Sequence, residues 1–286
     1  MDIKGKTIVI TGATSGLGQA AAIDFAGAGA KIFIVGRDAA RANETLAAAR
    51  AAGGAAEVIL GDVSPRAGVK AVAAALLAQT ATIDVLVNNA GGTFKTFTRT
   101  ADGVETTFAL NTLGAFLLEK ELHGALKAAH GRIVNLTTGF LNSFTVDVDD
   151  LSSPRKYSGF NQYGRAKLAV VMMTIEQAKR FETDGIKVNA LHPGIIMGTR
   201  FGGGQPKVMQ MLGGPLMRAV GFACSLEEAV RRFRVACFDD AIPTGAYVVK
   251  GRSARLPKQA SQESVRTRLM ALLDRSANTG ASSRLS

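Results

Sequence analysis

The chain has 286 residues, 47% of them apolar, enough to bury a sizeable core in one large domain or two small ones. No apolar run reaches the roughly 18 residues that a membrane span needs, and "MDIKGKTIVI" enters a strand without the charged segment, apolar stretch and cleavage site of a secretion signal, so the expectation is a cytoplasmic protein with no transmembrane segment. The formal charge of +11 is concentrated late: from Lys250 onward eight basic residues face two acidic ones, and without interleaved aromatics or a nucleic-acid-binding signature this reads as a solvated surface or a dock for acidic partners, with no nucleic acid expected.

Short β-branched runs predict strands at "KTIVIT" (6–11), "KIFIVG" (31–36), "EVILG" (57–61), "IDVLVN" (83–88), "RIVNLT" (132–137), "IKVNAL" (186–191) and "AYVVK" (246–250). Between them, alanine-rich amphipathic stretches predict helices near 16–29, 38–52, 66–80, 103–129, 160–182 and 225–239. Strands that are apolar throughout, alternating with helices, imply a sheet buried on both faces. The expected fold is therefore a single doubly wound α/β domain with a mostly or wholly parallel seven-stranded sheet flanked by helices, spanning 1–250.

Two connections are long. Residues 141–158 form a polar one after the fifth strand, and 193–222 a Gly-, Met- and Leu-rich one after the sixth, both at strand ends where substrate sites form. The second is either a mobile lid over an apolar substrate or a core-covering helix. Residues 251–286 make a basic tail, with one short helix at 264–275 before "SANTGASSRLS", which reads as disordered. Cys224, Cys237, His123, His130 and His192 form no ligand pattern, so no metal is expected.

The chemistry lies in the turns. "TIVITGATSGLG" puts Gly12, Gly16 and Gly18 between the first strand and the first helix, where backbone N–H groups can cradle a pyrophosphate; the bland alternative is a tight turn with no ligand. After the second strand, Gly36 stands where an NAD site usually offers a carboxylate to the ribose, and Arg37 follows. An arginine there can hold a 2′-phosphate, which favours NADP over NAD, unless Arg37 simply faces solvent. Tyr163 and Lys167, four apart on a predicted helix, share one face, and a neighbouring ammonium would lower the phenol pKa. Tyr157 has Asn161 at the same offset and cannot take that role.

The spacing TGxxxGxG, then "NNAG" (88–91), Asn111 in "TTFALNTLG", "YGRAK" (163–167) and "ALHPG" (190–194), in that order, resembles the short-chain dehydrogenase/reductase family over about residues 4–250. The insertion at 141–158 with "HPG" looks most like its retinol dehydrogenase-like and protochlorophyllide reductase-like branches. The resemblance implies a Rossmann domain binding NADP(H), with Gly12, Thr14, Ser15, Gly16, Leu17 and Gly18 at the pyrophosphate, Arg37 at the 2′-phosphate, and Asp62 and Val63 at the adenine. Asn89, Ala90 and Gly91 would line the cofactor, and Pro193, Gly194, Ile196 and Thr199 its nicotinamide end, with Thr199 one residue further from Pro193 than the commonest spacing.

It also implies that Tyr163 exchanges the proton, Lys167 binds the nicotinamide ribose, Asn111 holds a relay water, and the hydroxyl ending the fifth strand orients the substrate. That hydroxyl is Thr138 where the family usually has serine; it is either functional or mere packing. The expected function is interconversion of a small hydrophobic ketone or aldehyde and its alcohol. The alternatives are a regulatory or scaffold protein with lapsed catalysis and a carbon–carbon double-bond reductase. Many relatives would form a homodimer or homotetramer through the helices near 103–129 and 160–182, an association that the longer loop and tail would oppose.

Overall fold

The computed structural model describes residues 2–196 and 223–278. In chain order the first half runs β1 (Thr7–Thr11), α1 (Gly16–Gly27), β2 (Lys31–Gly36), α2 (Ala39–Ala51), β3 (Ala55–Leu60), α3 (Arg66–Leu77) and β4 (Val85–Asn88). Then come α4 (Thr106–Phe108), a π-helical turn (Ala109–Leu113), α5 (Gly114–Glu121), α6 (His123–Ala128), β5 (Arg132–Leu136), α7 (Val148–Leu151), α8 (Gly159–Arg180) and β6 (Lys187–His192). The chain continues with β7 (Ile195–Ile196), β8 (Ala223–Cys224), α9 (Leu226–Phe238), β9 (Tyr247–Val249), β10 (Arg252–Ala254) and α10 (Glu263–Asn278).

The main sheet has the order β10-β9-β6-β5-β4-β1-β2-β3. All seven expected strands are present and mutually parallel; the eighth, β10, returns antiparallel on β9, because the chain turns through Lys250 and Gly251, both at positive φ, instead of leaving the sheet at residue 250. A separate two-stranded ribbon pairs β7 with β8.

Period-two alternation explains why the strands are apolar throughout. On β1 and β2, Val9, Phe33 and Val35 point into one core, which also holds Val72, Leu76, Phe116, Leu168, Met172 and Leu269. Ile8, Ile10, Ile32 and Ile34 point into the other, with Ala21, Phe25, Ala42, Ala49, Ala229 and Phe233. Thus α3, α5, α8 and α10 cover one face, and α1, α2 and α9 the other. Each fully buried phenylalanine among them stabilises the fold by roughly 1.5–3 kcal/mol.

The expected helix over 103–129 is broken into four pieces. Asn111 Nδ2 donates to Thr107 O and to Gly92 O, both at 2.7 Å, so this side chain ties the turn to the loop after β4. A side chain inserted into the helical ladder in this way is a recognised cause of a π-turn. The predicted tail helix is longer than expected, and α10 packs on α8 through the Arg266–Glu176 and Arg180–Asp274 ion pairs at 2.6 and 2.8 Å. Residues 202–222 and 279–286, the lid-or-helix segment and the end of the tail, lie outside the described residues.

Candidate active site

Parallel strands bring all their C-terminal ends to one edge of the sheet, and the order reverses between β4 and β1, where an open α/β sheet leaves a crevice. The turn after β1 forms its floor. Gly12 and Gly16 have φ of 65° and 56°, the left-handed region that glycine enters without strain. A Cβ on Gly12 would stand 2.8 Å from Ala90 Cα, and one on Gly18 2.4 Å from Asn89 Nδ2 and 2.6 Å from Gly12 O.

Asn89 closes this packing by donating to Thr11 O and Gly12 O at 2.8 and 3.0 Å. The Thr11 hydroxyl in turn accepts from the N–H groups of Asn89 and Ala90 at 3.1 and 3.0 Å. The N-cap of α1, Ser15, makes no capping bond with its side chain, unlike Asp38 and Ser225 on α2 and α9. With Thr14, Leu17 and Gly18 around it, the first turn of α1 therefore presents N–H groups suited to an anion.

At the end of β2, a Cβ on Gly36 would meet the Thr14 methyl at 2.3 Å, so a carboxylate could stand there only if Thr14 moved. Arg37 is 62% exposed in its side chain and pairs with Asp62 at 3.2 Å. Asp62 also accepts from Ser64 N and Oγ at 2.9 and 2.7 Å; these bonds and Arg37 outweigh its partial burial and hold its pKa below the usual value. Val63, beside it, is buried.

The candidate catalytic groups gather about the ends of β4 and β5 and on α8. Lys167 is 3% exposed and donates from Nζ to Leu136 O at 2.8 Å. Burial lowers its pKa to about 7. Its ammonium lies 5.9 Å from the Tyr163 ring centroid. Burial raises the Tyr163 phenol above its ordinary range, partly relieved by a hydrogen bond with the Thr138 side chain. This corrects the expectation that Lys167 would pull the phenol down: desolvation is the larger effect, and the phenol stays protonated near neutrality.

Asn111, 2% exposed, accepts from Gly92 N at 3.2 Å as well as donating to Gly92 O. A Cβ on Gly91 would come within 2.7 Å of Asn111 Oδ1 and 3.2 Å of Lys167 Nζ. Gly91 thus keeps open the space on which those two groups converge, as a nicotinamide ribose would require. The described residues, an open N–H turn after β1 and the space kept by Gly91, suit the pyrophosphate and a ribose of a dinucleotide.

The two threonines ending β5 divide their work. Thr137 is buried and its hydroxyl donates to Lys167 O at 2.8 Å, stapling strand to helix. Thr138 is half-buried, meets the Tyr163 phenol with its side chain, and accepts at its carbonyl from the Tyr247 hydroxyl at 3.1 Å. Tyr157 donates to Phe94 O at 2.7 Å, away from this cluster.

Beyond β6, Pro193 O accepts from Arg232 at 3.0 Å and Gly194 has φ 109°. Ile196 lies on β7, while Thr199 lies outside the described residues. Tyr247 was not flagged by the sequence, because a tyrosine on a late strand gives no local signal. Thr11 opens the TGxxxGxG spacing, but that its hydroxyl holds the Asn89 and Ala90 backbone is visible only in the fold.

Beneath the site lies a buried polar network. Asn88 donates to Asn135 Oδ1 at 2.7 Å and to Glu119 at 3.0 Å, Gln177 donates to Glu119 at 3.1 Å, and Asn135 donates to Thr174 at 3.1 Å. Desolvation raises the Glu119 carboxyl pKa to about 7 against the pull of these bonds. Among the described residues no cluster of His, Cys, Asp or Glu could hold a metal, and no helix is long and apolar enough to cross a membrane.

Comparison with known proteins agrees with this geometry. The family model described as short chain dehydrogenase matches residues 6–207. The chain is 36% identical over 282 residues to retinol dehydrogenase 14 of Mus musculus, covering 93% of this chain and 84% of that protein. It is 34% identical to retinol dehydrogenase 12 of Homo sapiens over 68% of this chain and 63% of that one. It is 38% identical to "Putative daunorubicin C-13 ketoreductase DnrU" of Streptomyces sp. (strain C5), over 71% and 69%. Among solved structures, a short-chain dehydrogenase/reductase of unknown function from Caenorhabditis elegans, determined with cofactor, superposes with a TM-score of 0.71 at 26% identity, covering 92% of this chain and all of that one. From site and likeness together, the chain belongs to the short chain dehydrogenase family of oxidoreductases, which work with a nicotinamide cofactor.

Proposed function

We propose that the protein is an NADP(H)-dependent oxidoreductase that interconverts a hydrophobic ketone or aldehyde and its alcohol, with Tyr163 as proton donor and acceptor. The observation that carries this reading is the meeting of the Tyr163 phenol with the Thr138 side chain beside the buried Lys167, whose ammonium also borders the space that Gly91 keeps open. The relatives named above point the same way, one name specifying an alcohol and another a ketone. When bound, the nicotinamide supplies the hydride to the carbonyl carbon, or takes it back from the alcohol.

The chain's own groups do the rest. Thr138 holds and polarises the carbonyl oxygen, and Tyr163, kept protonated by burial, delivers the proton to it. Lys167, with its pKa near 7, favours reloading of the phenol and offers donors to ribose hydroxyls. Asn111 fixes the Gly92 backbone beside them. Preference for NADP(H) is supported by Gly36, which offers no carboxylate and where an added Cβ would crowd the Thr14 methyl, and by the exposed Arg37. For a homodimer or homotetramer built through α8, the helix α10, ion-paired to α8, is the element that would stand in the way.

The test is NADPH oxidation with a panel of apolar ketones and aldehydes, comparing the protein with Tyr163→Phe. The variant should lose about 10²–10⁴-fold in kcat while still binding NADPH, read from the change in the emission of NADPH itself. Equal turnover by the variant would remove Tyr163 from the mechanism.

A further inference from the structure

Next to the reactive threonine lies a cavity that none of these roles uses. It has a volume of about 270 Å³ and lies between the segment after β5, with Phe140, Leu141 and Asn142, and the late strands, with Tyr247, Arg255 and Pro257. One of its walls is tied to the strand end that carries Thr138, whose backbone carbonyl accepts from the Tyr247 hydroxyl at 3.1 Å. Its two sides are fastened together. Gln259 exchanges hydrogen bonds of 2.7 and 2.9 Å with the backbone of Val146, and Lys258 N donates to Asn142 at 2.8 Å. At the rim, Phe140 holds a left-handed φ of 57° and is 57% exposed.

Among the described residues, Arg255 is the sole charged side chain lining this cavity. No carboxylate among the described residues pairs with it. The surrounding sequence supplies none either: between Asp240 and Glu263 there is no acidic residue, while Lys250, Arg252, Arg255 and Lys258 are all basic. A guanidinium with no carboxylate partner, in a cavity that mixes the polar Asn142 and Ser143 with Phe140, Leu141 and Tyr247 and lies two residues along the chain from Thr138, has the donors to take an anionic group in a bidentate manner.

We propose that this cavity receives the far end of the substrate and that this end is anionic, a carboxylate held by Arg255, with Phe140 and Tyr247 covering the carbon skeleton between the acid and the reacting carbon. The preferred substrate class is then an oxo acid or hydroxy acid whose carboxylate is remote from the carbonyl or alcohol. This rests on the oxidoreductase reading above and narrows it. Reduction remains balanced by the hydride to carbon and the Tyr163 proton to oxygen, and the carboxylate is unchanged.

The experiment uses the whole 286-residue chain with ω-phenyl-ω-oxo carboxylic acids of increasing chain length, each paired with its neutral methyl ester. With NADPH, the acid of the best-fitting length should exceed its ester in kcat/KM by about 10-fold or more, the range of a charge-assisted bidentate contact. Arg255→Gln should abolish the preference and Arg255→Glu reverse it, both folding normally because the side chain is exposed.

Equal kcat/KM for acid and ester, or a preference that survives Arg255→Gln, would overturn the proposal while leaving the oxidoreductase reading standing. Should none of these ketones turn over, calorimetric binding of the same acids and esters decides it. A preference for acids that is lost in Arg255→Gln supports the cavity even as the reaction fails, and equal or absent binding refutes it.

Discussion

Thr138 keeps the hydroxyl of a serine and adds a methyl that restricts χ1, so its fitness depends on where the preferred rotamer aims Oγ1. The structure aims it at the Tyr163 phenol, and the neighbouring hydroxyl is already committed to Lys167 O. Replacing Thr138 by valine, the same shape without the donor, should lower kcat by about 10²-fold, as losing one positioned donor does elsewhere; Thr138→Ser should keep activity within a few-fold. Full activity in the valine variant, measured under saturating NADPH, would make the hydroxyl dispensable. Arg37 poses a different question, because its ion pair with Asp62 is exposed and so contributes at most about 1 kcal/mol. The guanidinium can therefore be redirected to a 2′-phosphate at little cost. Arg37→Ala should raise the KM for NADPH about 10- to 100-fold and hardly change that for NADH; parallel changes with both cofactors would assign Arg37 to the surface. Arg37 was marked in the sequence by its place after the second strand, and Thr138 only through the family resemblance, since nothing local separates it from Thr137. The protonation of Tyr163 was not, because burial, which decides it, is a property of the packed chain.

Breaks in elements carry as much of the site as the elements do. The run over 103–129 has unbroken helical patterning, yet Asn111 satisfies Gly92 and Thr107 through its side chain and turns the helix through a π-turn. A motif could mark the asparagine, but no periodicity could show that its partner is a loop backbone. The strands were legible because both faces are buried, which leaves an apolar run; the register that sets Asn88 opposite Asn135 was not, since polar residues inside such runs give no sign of their partner. That register builds the pocket for Glu119, which predicts a pH effect. Folding raises its pKa from 4.5 to about 7, so the folded state binds the extra proton in this window. Its contribution to stability is complete below about 4.5 and is lost as the pH rises through about 7. Lys167 acts with the opposite sign at higher pH, its lowered pKa making stability rise between about 7 and 10.5. Glu119→Gln keeps the shape and cannot ionise. In urea unfolding, the variant should gain on the parent by on the order of 2–3 kcal/mol between about pH 5 and about pH 8. A difference that does not vary with pH would show that Glu119 does not titrate in this window.

The charge asymmetry of the whole chain suggests an appendage after residue 250, yet the segment completes the molecule. It supplies the eighth strand, a wall of the cavity beside Thr138 and the helix α10. Composition could not reveal this, because basic residues on α10 alternate with a thin apolar stripe of Leu269, Met270 and Leu273, all nearly or fully buried in the same core as Leu168, Met172 and Met173 on α8. Arg266, itself only 7% exposed, is held between Glu176 and Ala260 O, so even one of the tail's charges serves the packing. If α10 is part of the cooperative fold, Leu269→Ala should cost about 2–4 kcal/mol, the price of an unfilled core position. The urea midpoint should fall with the slope unchanged, because the surface exposed on unfolding is nearly the same. If α10 also stands where a second copy would otherwise dock, a chain ending at Gln262 should expose the α8 side of that core and self-associate, whereas the full chain should elute as a monomer. A truncated chain as stable and as monomeric as the full one would mean that α10 merely rests on the surface, and Leu269→Ala would then leave the urea midpoint where it was.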